Sequence, residues 1–225
     1  MGSVDTMKLM GDAFVSLAER FPLEKISVSD IVAASGKNRK TFYYHFNDKS
    51  HLIRWIFRND LASLLQERFE GASLVYEGAS LVDEGCGEYT MPDLPYYTLK
   101  KTGIRSLDGS GFFCALADTL QNRRGYYAKA LRSNDPDGLR AYLLELYTPA
   151  LEKDIRFILS NRTLSESSIR FLAEFYTGAI VTYMANRLCC GPAEHDILSD
   201  IDPFGNIVHD SIEHMIKEQQ FRRVL

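Results

Sequence analysis

The sequence predicts an all-α protein in which a helix-turn-helix domain (residues 1–50) precedes a larger helical bundle (residues 51–225). Three observations support this fold class. Apolar residues recur at helical spacing along most of the chain, capping residues and Gly or Pro breaks separate these stretches, and no segment shows the alternation typical of a strand. The 225 residues, 45% hydrophobic and 25% charged, have the composition of an ordinary globular protein.

The first 50 residues divide into three predicted helices. The first has its apolar face on Ala13, Phe14, Leu17, Ala18 and Phe21. It ends at Pro22, and a capping box of Ser27 and Asp30 then begins a short second helix. Gly36 permits a tight turn, after which Asn38 caps a third helix that carries residues 41–46. Two short helices joined by such a turn, with a longer helix before them, predict a helix-turn-helix.

Helices continue through the rest of the chain. A break at Asn47-Asp48 begins a long helix over about residues 48–70. The further predicted helices are 112–122, 125–132, one from Asp135-Pro136 to about 161 with a kink at Pro149, one from a Thr163–Glu166 capping box to Leu188, and a last one over 203–221. Residues 70–83 duplicate a heptad with a glycine in each copy, and the sequence assigns it no function.

Positive charge is concentrated in residues 36–58, although the whole chain has a net charge of −4. Asp48 is the only acidic residue there, against six cations: Lys37, Arg39, Lys40, Lys49, Arg54 and Arg58. A local basic cluster on an acidic protein indicates one dedicated contact with an anion. The alternative is a charged face that is only solvated.

The start of the third helix is the most informative part of the sequence. Lys37, Arg39 and Lys40 lie at or just before its N-terminus, where the helix dipole makes cations unfavourable. A bound anion such as a phosphate would remove this conflict.

The same helix carries side chains suited to phosphate oxygens. The hydroxyl and imidazole donors are Thr41, Tyr43, Tyr44 and His45. Phe42 and Phe46, four residues apart, are expected to anchor the helix in a core. Because consecutive aromatic residues cannot all face inward from one helix, at least two of them must be exposed.

Here the sequence resembles the tetracycline-repressor (TetR) family. The similarity covers about residues 8–58 and depends on SVSDIVAASG at 27–36, KNRKTFYYHF at 37–46, and the following Lys49 and Leu52. The resemblance implies that Arg39 and Lys40 face base edges of double-stranded DNA. The full set of expected DNA contacts is Ser27, Lys37, Asn38, Arg39, Lys40, Thr41, Tyr43, Tyr44, His45 and Lys49. Lys37 departs from the pattern, because the family usually has a small apolar residue there.

For the rest of the chain the resemblance implies an all-α domain that dimerises and senses an effector. The expected homodimer interface is residues 163–188 and 203–221, although the same apolar helices could instead build the core of the monomer. Asn186-Arg187 stands where many relatives have a tryptophan. An excess of aromatic residues suggests a ligand cavity. Its candidate lining is Trp55, Phe112, Phe113, Tyr126, Tyr142, Tyr147, Phe175 and Tyr176.

These features predict a cytoplasmic transcriptional regulator, a repressor that an unknown small molecule releases from its DNA operator. The alternative is a regulator controlled by a partner protein, with no ligand pocket, which could be an activator. An enzyme is not expected, and neither is a cofactor, a metal ion or a membrane partner. Cys189-Cys190 with His195, and His209 with His214, have the residue types of a metal or thiol site, but His209 and His214 point to different faces of a helix.

Overall fold

The computed structural model describes residues 2–69, 95–97, 100–103, 106–133, 135–160, 164–191 and 196–200, together with 211, 214, 215 and 218. The all-α fold class is confirmed. The helices are α1 Ser3–Arg20, α2 Val28–Ala34, α3 Arg39–His45, α4 Lys49–Arg68, α5 Ser110–Asn122, α6 Arg124–Arg132, α7 Leu139–Leu159 and α8 Glu166–Cys190. Two short 3₁₀ turns cover Leu23–Lys25 and Ile197–Asp200. We call α1–α3 the head and α4–α8 the body.

The head forms as its capping residues predict. The backbone N–H of Ser27 donates to Asp30 Oδ2 at 2.8 Å, and the N–H of Asp30 donates to Ser27 Oγ at 3.3 Å, which completes the capping box of α2. At α3 the N–H of Thr41 donates to Asn38 Oδ1 at 2.8 Å. Asp48 caps α4 in the same way, through the N–H of His51 at 2.7 Å.

Gly36 ends α2 with a left-handed turn. Its φ is +66°, a region that L side chains rarely adopt. The N–H of Lys37 donates to the carbonyl of Val32 at 2.9 Å, and the N–H of Gly36 donates to Ala33 at 3.3 Å. This pair of hydrogen bonds is the Schellman motif, and it sets the turn between the two short helices.

Two predicted helix starts were wrong by a few residues. The N–H of Asp137 donates to Asp135 Oδ1 at 3.0 Å and the N–H of Gly138 donates to the Asp135 carbonyl at 2.9 Å, so Asp135 lies in a turn and α7 begins only at Leu139. Ser165, and not Thr163, caps α8, because its Oγ accepts the N–H of Ser168 at 3.2 Å. The long α7 continues through Pro149.

The expectation that the chain has no strands was also wrong. Strands β1 (Lys100–Gly103) and β2 (Ser106–Asp108) pair antiparallel, with Lys100 opposite Asp108 and an irregularity after Lys101. Strands of three or four residues are too short for alternating hydrophobicity to reveal them. The duplicated heptad at 70–83 and most of the predicted helix 203–221 lie outside the described residues; 211, 214, 215 and 218 are helical.

The apolar core runs without interruption from the head into the body. It joins Met10 and Phe14 of α1 to Trp55 of α4 and Tyr126 of α6. A second, smaller core lies between α7 and α8 and includes Ile155, Leu172 and Tyr176. In the part of the chain that the structure describes, no helix is long and apolar enough to cross a membrane.

Candidate nucleic-acid interface

Helix α3 is fixed from one side and open on the other. Phe42 and Phe46 are fully buried, their ring centroids 5.5 Å apart, and Phe46 packs edge-on against Trp55 at 5.9 Å. Tyr43 and Tyr44 are 55% and 60% exposed. The expectation that at least two aromatic side chains of this helix face solvent is therefore confirmed, and the helix presents them on a rigid base.

Cationic side chains flank these tyrosines at the start of α3. Arg39 and Lys40 are exposed, and Lys37 in the preceding turn is half-buried. Arg39 Nε donates to Ser29 Oγ of α2 at 3.2 Å. This bond holds the guanidinium across the two helices, so that a charged group suited to bidentate hydrogen bonding lies on the outer face of the helix-turn-helix.

Ser27, Asn38 and Thr41 lie beside this face and serve first as structural caps. Ser27 Oγ donates to Asp30 Oδ2 at 2.6 Å, and these hydrogen bonds to Ser27 hold the pKa of the Asp30 carboxyl below its ordinary value. Thr41 Oγ1 donates to Asn38 Oδ1 at 3.1 Å. Ser27 and Asn38 are exposed and Thr41 is half-buried.

Two of the expected DNA-contacting side chains point inward. His45 is buried, and burial lowers the pKa of its imidazole, which favours the neutral ring. Lys49 Nζ donates to the carbonyls of Leu23 and Ile26, at 2.7 and 3.2 Å. In this arrangement Lys49 fastens the start of α4 to the segment that precedes α2.

Three of the six cations in residues 36–58 do not belong to a basic surface on α3: Lys49, described above, and two arginines of α4. Arg58 is only 1% exposed, and its Nη1 donates to the hydroxyl of Tyr142 at 3.3 Å. Arg54 lies over the ring of Tyr142, 5.2 Å from its centroid, and its Nη2 donates to the carbonyl of Asp137 at 3.2 Å. One turn apart on α4, both arginines face α7 and not the surface of α3, a placement that charge counting along the sequence cannot detect.

Three of the eight candidate ligand-binding aromatics meet in one buried cluster. Phe112 packs against Tyr147 at 5.7 Å, Tyr147 donates to the carbonyl of Tyr96 at 3.1 Å, and Tyr142 contacts Arg58. The Arg58 guanidinium lies 4.8 Å from the centroid of the Tyr96 ring. Burial raises the pKa of Tyr147 well above its ordinary value, so this hydroxyl stays protonated. We call these five residues the aromatic cluster; the half-buried Phe113 packs on its Phe112.

The other four candidates lie elsewhere. Trp55 and Tyr126 belong to the packing between head and body. Tyr176 is in the second core, where its hydroxyl lies 2.7 Å from Ser211 Oγ. Phe175 was wrongly placed in the interior: it is 58% exposed and stacks on Phe171, which is 62% exposed. Helical periodicity did not separate these two faces of α8, because apolar residues lie on both.

Sequence reasoning missed a polar cluster where α1 meets α4 and α6. Its members are Asp12, Asp60, Arg123 and Tyr127. The one available indication was Asp60, a carboxylate within the apolar stripe of α4. Residues far apart in sequence build this cluster, so spacing alone could not reveal it.

The described residues offer little support for metal chemistry. No three His, Cys, Asp or Glu side chains gather among them in a way that could hold an ion. Cys189 Sγ donates to the carbonyl of Ala128 at 3.1 Å and so packs α8 on α6. The candidate ligands His195 and His209 lie outside the described residues.

Comparisons with known proteins agree with this architecture. A family model of a TetR-type "Transcriptional regulator C-terminal region" matches residues 110–189. A curated relative, the HTH-type dhaKLM operon transcriptional activator DhaS of Lactococcus lactis subsp. lactis (strain IL1403), is 38% identical over 65 residues, which are 29% of this chain and 35% of the relative. The match thus spans about a third of that protein.

A solved structure shares the fold over nearly the whole length. The dihydroxyacetone kinase operon activator DhaS superposes with a TM-score of 0.53 and 18% sequence identity, covering 93% of this chain and 97% of that one. At this identity the likeness concerns the fold alone.

Proposed function

Because the chain belongs to the TetR family of transcriptional regulators, we propose that it is a sequence-specific regulator that inserts α3 into the major groove of a DNA operator. One observation carries the proposal. Exposed cations and tyrosines occupy the outer face of α3, while Phe42 and Phe46 lock its inner face into the core. A short helix with this division of residues is suited to base and phosphate contacts.

Within this face, Arg39 and Lys40 read base edges. The planar guanidinium of Arg39 matches the two acceptors of guanine, and Lys40 adds a mobile ammonium beside it. The phosphate contacts are Lys37, Thr41, Tyr43 and Tyr44, with the exposed caps Ser27 and Asn38 at the edge of the interface. His45 and Lys49 support this face indirectly. The buried ring of His45 and the hydrogen bonds of Lys49 stabilise the packing of the head.

The regulator works as a homodimer whose interface includes α8. Phe171 and Phe175 form a stacked, exposed apolar pair on this helix, and the occupant we propose for it is the same surface of a second copy. A single head offers few contacts, so useful affinity requires two half-sites, and the operator is a near-palindrome.

The first mode of control we propose is repression that a small molecule relieves. The aromatic cluster supports it, since a buried guanidinium surrounded by tyrosines could orient a mostly apolar ligand. The second mode is control by a partner protein, with activation as its output. The name of the curated relative DhaS describes a transcriptional activator, and this supports activation as the output of this mode. In either mode the protein acts on chromosomal DNA in the cytoplasm.

The test is a selection of bound duplexes from random double-stranded DNA by the purified full chain. We expect one near-palindromic sequence to be enriched. Arg39→Ala and Lys40→Ala should each weaken binding to it by about 1–3 kcal/mol. The matched control is Arg156→Gln on α7, which removes a positive charge outside the head. Enrichment of no sequence, or affinity unchanged in both head variants, would overturn the proposal.

A further inference from the structure

The polar cluster between head and body centres on Arg123, at the junction of α5 and α6. Its Nη2 donates to Asp12 Oδ1 of α1 at 2.9 Å, and its Nε lies 3.5 Å from Asp60 Oδ2 of α4. The hydroxyl of Tyr127 donates to the same oxygen of Asp60 at 2.7 Å. One guanidinium therefore joins a carboxylate of the head to a carboxylate of the body.

The two carboxylates differ in their environment. The side chain of Asp60 is 17% exposed and that of Asp12 is 65% exposed. A buried carboxylate needs a compensating cation and hydrogen bonds, and Arg123 and Tyr127 supply both. Asp60 thus fixes the position of the guanidinium. Because the Arg123 side chain is already ordered, its ion pair with Asp12 costs little additional conformational entropy.

A second cation fastens the end of α1 to the same helix. Lys129 of α6 donates to the carbonyl of Ala18, and to that of Phe21 at 3.2 Å. These carbonyls lie at the C-terminus of α1, where the helix dipole favours positive charge. Helix α6 therefore holds α1 at two places, once through Arg123 and once through Lys129.

A small crevice beside this junction, partly open to solvent and with room for about one water molecule, is bordered by Asp12, Asp60 and Arg123, together with Lys8, Trp55 and Asn59. The hydroxyl of Tyr126, next to Tyr127 on α6, is fully buried and has no hydrogen-bond partner among the described residues. An unsatisfied buried hydroxyl is unfavourable, so a position of α6 in which the Tyr126 hydroxyl gains a partner would be favoured.

We propose that Arg123 is a positioning residue that transmits the position of the body to the DNA-binding head, through its shared ion pairs with Asp12 and Asp60. The proposal rests on the proposed function. Any ligand or partner that moves α6 then changes the orientation of α1, and with it the presentation of α3. Loss of Arg123 uncouples the two parts without touching the DNA-contacting face.

Trp55 is a built-in reporter for this junction, because it is the only tryptophan of the chain and borders the crevice. The experiment measures acrylamide quenching of its fluorescence in the full chain, and in parallel the affinity for the selected duplex. The variants are Asp12→Asn, Arg123→Gln and the double variant. Asp12 is largely exposed, so Asp12→Asn is expected to fold. The control is Arg156→Gln, which removes an ion pair of α7 with Glu166.

We expect both single variants to raise the quenching constant of Trp55 and to lower DNA affinity about 5-fold or more. A 5-fold change in affinity is the lower end of the range usual for coupling between two sites. The double variant should be no worse than Arg123→Gln, because both changes remove one interaction. Quenching equal to that of Arg156→Gln, or effects that simply add, would overturn the proposal even if DNA binding is normal. Raised quenching in a protein that binds no duplex would instead refute the proposed function and leave the junction as described.

Discussion

Replacing Lys49 by Gln separates a structural role of this lysine from a role in DNA binding. Its ammonium donates to the carbonyls of Leu23 and Ile26, at 2.7 and 3.2 Å, and is half-buried between them. Hydrogen bonds from a charged donor are worth more than neutral ones, but Gln retains one amide donor and water can reach the site. We therefore expect a loss of about 1–2 kcal/mol in the free energy of unfolding.

The assay combines urea unfolding with DNA titration at several salt concentrations. For Lys49→Gln we expect lower stability and an unchanged salt dependence of DNA affinity. The reciprocal control is Lys37→Gln, at a proposed phosphate contact in the turn before α3. It should reduce the slope of log affinity against log salt by about one unit. A stable Lys49→Gln protein that shows this reduced slope would refute the reasoning and make Lys49 a phosphate contact.

Three further predictions concern other parts of the molecule. Gly36→Ala should lower the free energy of unfolding by about 1–2 kcal/mol, because the residue has a φ of +66°. The added methyl group meets no atom within 4 Å, so the loss comes from backbone strain alone, and an unchanged midpoint of thermal unfolding would contradict this. Burial raises the pKa of Asp60 above 3.8, so its ionisation opposes folding. As pH falls from 7 towards 3.8, the wild type should therefore gain stability relative to Asp60→Asn, whose amide does not ionise; a stability difference in urea that does not change with pH would argue against it. Phe175→Glu should give monomers in sedimentation, whereas Glu174→Gln beside it should not; a dimer of the Phe175 variant would exclude this face.

The helix bounds of the head follow from local sequence signals. Caps, turns and the periodicity of short helices depend on residues within four or five positions of one another. Ser27, Gly36 and Asn38 therefore predicted the bounds of α2 and α3 from local hydrogen bonding alone. Phe42 and Phe46 were assigned to the core for a similar reason, because positions four apart share one face of a helix.

The partners of the charged side chains, by contrast, depend on long-range packing. Arg58 looked like part of a basic surface, but α7 and the segment containing Tyr96 bury it. The sequence predicted that Lys49 contacts a phosphate, but its ammonium donates hydrogen bonds to the carbonyls of Leu23 and Ile26, which lie 26 and 23 residues earlier. The junction of Asp12, Asp60 and Arg123 joins residues up to 111 positions apart. Long flexible side chains choose their partners across such distances, and no local pattern encodes that choice.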